Sequence, residues 1–127
     1  MIIDTGSSVA AVPCKGLCTS SSCGDHHYGL FDVHASSTHE FHSCSKDCNC
    51  VDDDKCKFYQ GYAEGSHYTG YVVSDMLYFD EHYDTDDNFK YTFGCVKQET
   101  NLFVTQDADG ILGLSNADND RTRKNGF

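Results

Sequence analysis

No stretch of this chain approaches the ~18 consecutive apolar residues that a membrane-spanning helix needs, so no membrane span is expected in it. Basic residues are also scarce: 9 Lys and Arg stand against 20 Asp and Glu, a net charge of −11. That balance argues against nucleic acid and anionic membrane surfaces as partners and favours a basic peptide. The aspartates at 52–54 and at 84, 86 and 87 read as solvated loops. Helical periodicity is almost absent, there is no internal repeat, and the single proline, Pro13, closes a short apolar run, Val9-Ala10-Ala11-Val12. Short strand-like runs separated by Gly-rich turns take the place of helices, which gives an all-β expectation. No secretory leader is visible, because Met1 is followed at once by a strand-like segment.

What the chain does have is cysteine. Eight cysteines in 127 residues are a high and even number, which reads as a disulfide framework made in an oxidising compartment such as the secretory pathway. The length suits one domain with a core and not two. A disulfide framework without a leader is reconciled most simply if the sequence is a piece of a longer chain. Zinc is the rival use of these residues. Cys44, Cys48, Cys50 and Cys56, with His26, His27, His34, His39 and His42 upstream, are chemically suitable ligands. The spacing is irregular and lacks a paired Cys-x2-Cys set, so no metal is expected, and the histidines read as a solvated, mildly pH-responsive surface.

The chemistry-bearing stretch is Ile2-Ile3-Asp4-Thr5-Gly6-Ser7-Ser8. Two β-branched residues end a buried strand and Asp-Thr-Gly-Ser turns out of it. A carboxylate there lies close to hydroxyls and to the Gly6 N–H, donors that would keep it ionised and fixed in direction. Further on, Lys57-Phe58-Tyr59-Gln60 and residues 68–77 read as the arms of a hairpin tipped by Glu64-Gly65-Ser66. Alternating aromatics at Phe89, Tyr91 and Phe93 give a half-buried strand ending in Gly94-Cys95. Asp109-Gly110-Ile111-Leu112-Gly113-Leu114 is a turn leading into an apolar run, broken at Gly113 where another backbone could approach.

Asp-Thr-Gly-Ser-Ser, then Tyr-x-x-Gly-Ser, then Asp-Gly-Ile-Leu-Gly-Leu, in that order over residues 2–115, resembles the amino-terminal lobe of a pepsin-like aspartic protease. The cysteine pattern and the Phe-Gly-Cys strand resemble the nepenthesin and plasmepsin V-like branch. The resemblance implies an all-β fold, one lobe of the bilobal acid protease architecture. A cysteine-rich insertion would cover about 14–56 and a flap hairpin about 57–77. It also implies that further strands precede residue 1 and that a second lobe with its own Asp-Thr/Ser-Gly follows. Carried over position by position, it pairs Cys14 with Cys18, Cys23 with Cys95 and Cys44 with Cys56, and nests Cys48 with Cys50 inside the last.

The reaction so implied is peptide-bond hydrolysis by two carboxylates that share one proton, a coupling for which aspartic proteases are the standard example. Asp4 would be one of the pair, and this chain alone would be inactive. Thr5, Gly6 and Ser7 would complete and support the loop, Tyr62 would be the flap tyrosine, and Gly65 and Ser66 would shape the flap. Glu64 matches a glutamate that contacts a substrate arginine in plasmepsin V-like enzymes. Ala11 stands where pepsin has a tryptophan supporting the flap tyrosine, and Ala63 stands where plasmepsin V has a cysteine. No cofactor is implied; the partners are a peptide or protein substrate and the second lobe. Two alternatives stay open: a disulfide-stapled module that binds basic peptides without cleaving them, and a retroviral-style homodimer that brings two copies of Asp4 together.

Overall fold

The computed structural model describes residues 1–46, 48, 50, 54–78, 88–105 and 109–115. The sequence-stretch aspartates at 52, 53, 84, 86 and 87 lie outside them. Strands dominate the described residues: β1 (Ile2–Asp4), β2 (Ala10–Pro13), β3 (Glu40–Phe41), β4 (Lys57–Gly61), β5 (His67–Leu77), β6 (Phe89–Glu99) and β7 (Ile111–Gly113). They form one mixed sheet in the order β1-β7-β2-β6-β5-β3, with β4 also paired to β5. Among the described residues helix is confined to two single turns, α1 (Ser20–Cys23) and α2 (Leu102–Thr105), with a 3-10 turn at Val33–Ala35. None of these is long enough to leave a periodic pattern, so the sequence shows no sign of them.

The long antiparallel pair β5–β6 is the spine of the sheet. The first half of β5 pairs with β4 and its second half with β3 on the same edge. Side chains alternate across a strand, and both faces of this spine are covered. Ala11, Phe58, Tyr68, Val72, Val96 and Ile111 build a core on one face. Ala10, Val33, Val73, Phe93 and the Cys14–Cys95 pair build another on the opposite face. Neighbours such as Val72 and Val73 are therefore both fully buried.

At one edge of the sheet, β1 runs parallel to β7 with Asp4 opposite Gly113. The Ile2 N–H donates to the Gly110 carbonyl (2.7 Å), and the Leu114 N–H donates to the Asp4 carbonyl (2.7 Å). The Gly113 N–H donates to the Val9 carbonyl at 3.1 Å. A Cβ at Gly113 would lie 2.5 Å from the Val9 nitrogen and 2.7 Å from the Ser7 carbonyl oxygen. Only glycine lets β7 slot between the two limbs of the Asp4 loop, which is the close approach the broken apolar run implied.

All eight cysteines are paired, and none of the four pairings carried over from the family pattern is correct. The observed bridges are Cys14–Cys95, Cys18–Cys23, Cys44–Cys50 and Cys48–Cys56. The parallel register of β2 on β6 sets Val12 against Cys95 and Pro13 against Val96, which brings Cys14 within 5.4 Å of Cys95 between Cα atoms. The α1 turn folds Cys23 back to within 5.6 Å of Cys18. The nested Cys48–Cys50 bridge would close a ring around one residue, and the chain spans six and eight residues instead. With their thiols committed, the second group of cysteines cannot act as thiolate ligands.

One histidine departs from the surface reading. The His26 imidazole is 2% exposed, 3.7 Å from both Glu99 and Asp109. Burial pushes the Glu99 carboxyl from 4.5 up to about 7. The folded chain thus holds a proton that the unfolded chain releases near pH 4.5. The contribution of this group to stability is full below that pH and is lost as pH rises through about 7. Urea midpoints should drop between pH 4.5 and 8, and Glu99→Gln should flatten that slope; an unchanged slope in the variant would remove Glu99 as its source.

Candidate active site

Asp4 ends β1, and the turn through Thr5 and Gly6, both exposed, leads to the fully buried Ser7. The turn folds two donors back onto the carboxylate. The Gly6 N–H donates to Asp4 Oδ1 at 2.8 Å, and the Ser7 hydroxyl donates to Oδ2 at 2.7 Å. A third donor arrives from 58 residues away, where the Tyr62 phenol donates to Oδ2 at 3.0 Å. Burial by itself raises the Asp4 carboxyl. The Ser7 hydroxyl, the Gly6 N–H and the Tyr62 phenol together outweigh it and hold the group below the usual carboxylate value. The result is a half-buried carboxylate, ionised and aimed by three donors.

Tyr62 opens the connection between β4 and β5. The Tyr62 N–H donates to the Ser66 carbonyl (2.9 Å) and the Gly65 N–H to the Tyr62 carbonyl (3.0 Å), closing a tight turn with Gly65 at φ +98°. That left-handed backbone is cheap only for glycine. Glu64 is exposed, yet its Oε2 accepts from the Ser66 N–H (3.0 Å) and hydroxyl (2.7 Å), so the carboxylate is oriented within the tip. The tip is also moored to the start of α2, where Asn101 Nδ2 donates to the Gly65 carbonyl (3.1 Å) and the Leu102 N–H to the Ser66 hydroxyl (3.2 Å). Asp4, Gly6, Ser7 and Tyr62 thus meet in one site, while Glu64, Gly65 and Ser66 sit at the hairpin tip above it. Thr5 lines the turn without a described contact to the carboxylate.

Two residues at this site escaped the sequence reading. The Phe103 ring lies 5.4 Å and the Tyr68 ring 6.2 Å from Tyr62, centroid to centroid, and the two are 5.3 Å from each other. Tyr68 had a legible signal, because positions 66, 68, 70 and 72 alternate onto the buried face of β5. Phe103 had none, sitting in a single helical turn.

Residues 1–119 match the family described as Xylanase inhibitor N-terminal. The chain is 36% identical over 134 aligned residues to Aspartic protease 5 of Toxoplasma gondii and 34% identical over 121 to Plasmepsin V of Plasmodium falciparum. Each alignment covers 91% of this chain, and the chain spans only 14% and 20% of the lengths of those relatives. With the four disulfides and the mostly β architecture, these matches show that the chain belongs to the Xylanase inhibitor N-terminal family, the amino-terminal lobe of pepsin-like aspartic proteases.

Proposed function

We propose that this lobe supplies one half of the catalytic site of a secretory-pathway aspartic endopeptidase, with Asp4 as one member of a carboxylate dyad. The observation that carries the reading is the Asp4 carboxylate at the end of β1, held by Gly6, Ser7 and Tyr62. A second carboxylate, from the second lobe, completes the pair. Like charges at close range cannot both ionise, so the pair holds one proton between them. The ionised member takes a proton from water as the water oxygen attacks the scissile carbonyl carbon, and the protonated member gives its proton to the carbonyl oxygen. The tetrahedral adduct then collapses, the amide nitrogen takes a proton and the C–N bond breaks. Tyr62 covers the site and excludes water from it during the reaction.

Glu64 is the group at the hairpin tip suited to a basic substrate side chain, and the net charge of −11 would draw such peptides in. Four disulfides place folding in an oxidising compartment, which fits the endoplasmic reticulum, the Golgi or the extracellular space. The test is to express the full-length protein with its second lobe and incubate it with unstructured peptides carrying arginine or lysine, reading products by mass spectrometry. Cleavage on a bell-shaped pH profile supports the reading. Tight binding with intact peptide over the whole acid-to-neutral range would overturn it in favour of a binding module, the reading that the inhibitor in the family's description supports. Cleavage by a dimer of the isolated lobe would replace the second lobe with a second copy of Asp4.

A further inference from the structure

Neither ring nitrogen of the buried His26 has a hydrogen-bond partner among the described residues, whereas buried polar atoms are normally bonded. What each nitrogen faces is a carboxylate: Nε2 lies 3.7 Å from Glu99 Oε2, and Nδ1 lies 3.7 Å from Asp109 Oδ1. Both carboxylates are poorly exposed, at 8% and 18%. Among the described residues no other basic side chain pairs with either of them. From β5, Tyr68 shares with Glu99 the lining of a cavity of about 10 Å³, at the limit for even one water. Asp25 and His27, on the same loop as His26, are exposed.

The three residues come from three segments, and two of these segments lead straight into the site. Glu99 ends β6, and the next three residues moor the flap. Thr100 Oγ1 accepts from the His67 N–H (3.1 Å), Asn101 donates to the Gly65 carbonyl and the Leu102 N–H donates to the Ser66 hydroxyl. Asp109 precedes Gly110, whose carbonyl takes the Ile2 N–H, and β7, which runs on to the Leu114 N–H on the Asp4 carbonyl. His26 follows α1, in a loop pressed against α2: a Cβ at Gly24 would stand 2.3 Å from the Val104 carbonyl oxygen.

We propose that His26 is a positioning residue that clasps the end of β6 to the approach to β7, holding the flap mooring and the Asp4 loop in place through one exchangeable proton. With Glu99 protonated, its hydroxyl donates to Nε2 while Nδ1–H donates to Asp109, so a single proton completes both links. Without it, the Nε2 lone pair faces a carboxylate, and two carboxylates repel each other across a neutral ring. Burial places that loss at about 7 for Glu99. The clasp is therefore closed below about pH 7 and released above it. Its importance for catalysis rests on the reading of Asp4 as the reacting carboxylate, whereas its hold on the flap tip does not.

The test is hydrogen–deuterium exchange of the full-length protein at about pH 6 and about pH 8, corrected for intrinsic exchange rates. It compares wild type, His26→Gln and Glu99→Gln, with His27→Gln as the exposed control. Wild type should lose about tenfold in protection over residues 62–66 and 100–102 between the two pH values, the worth of one hydrogen bond to a charged group. His26→Gln should be poorly protected there at both. Glu99→Gln, whose amide donates to Nε2 as the acid does, should stay protected at the higher pH, and His27→Gln should follow wild type. Val72 and Cys95, in the centre of the sheet, should stay protected throughout. No pH step in wild type, or a step that persists in His26→Gln, would overturn the clasp, as would a loss that spreads equally to Val72 and Cys95. If His26→Gln fails to fold, Glu99→Gln decides, since a step of wild-type size in that variant also sinks the proposal. The expected exchange pattern in a full-length protein that cleaves no peptide would overturn the protease reading and leave the clasp standing.

Discussion

Replacing Asp4 with asparagine in the full-length protein should lower kcat/KM for peptide hydrolysis by about 10⁴-fold, the upper end of what one acid–base group contributes. The expectation follows from the count of donors. Gly6, Ser7 and Tyr62 all give hydrogens to this carboxylate. An asparagine offers one acceptor oxygen and turns an amide NH2 toward donors that also present hydrogens. The loop keeps its volume, loses one or two hydrogen bonds at a cost of about 1–3 kcal/mol, and can no longer take a proton from water. Activity and stability should therefore separate: melting falls by a few degrees while cleavage is lost. Peptide turnover and thermal denaturation of the same preparation check both halves. Turnover within tenfold of wild type would mean that Asp4 is not in the dyad.

The second large effect is on folding. Removing the Cys14–Cys95 bridge as a double alanine variant should destabilise the chain by about 4–5 kcal/mol, the loop-closure estimate for a bridge of this span. It joins residues 81 apart, whereas Cys18–Cys23 joins residues 5 apart and should contribute only about 2 kcal/mol by the same relation. Cys14 and Cys95 are both fully buried and part of the core around Val33, Val73 and Phe93, so lost packing adds to the entropic effect. Urea denaturation of the two double variants gives the ranking. Peptide mapping under non-reducing conditions gives the connectivity, and a Cys23–Cys95 peptide would restore the pairing that the family pattern suggested.

Much of the site was legible because it is local. Asp4 with its turn, Gly6 and Ser7 span four residues, and a strand ending in Asp-Thr-Gly-Ser folds its own donors back on the carboxylate whatever lies elsewhere. The hairpin carrying Tyr62 is also local, since alternating residues on either side of a Gly-Ser tip dictate two antiparallel strands. The break at Gly113 announced a close backbone approach, although not which backbone would come.

The rest depended on contacts between distant segments. Eight cysteines guaranteed bridges, but the partner of Cys14 was decided by the parallel registry of β2 with β6, which no spacing encodes. His26 read as one of several surface histidines until the fold set it between Glu99 at the end of β6 and Asp109 just before β7. Tyr68 and Phe103 come together beneath Tyr62 only because β5 and the turn after β6 pack on the same side of Ala11. The sequence alone determined the all-β class, the oxidising chemistry of the cysteines and the carboxylate-bearing turn, because each follows from composition or from neighbours along the chain. Only the tertiary structure decided which cysteines bond, which histidine is buried and what supports the flap phenol, because those depend on which strands lie side by side.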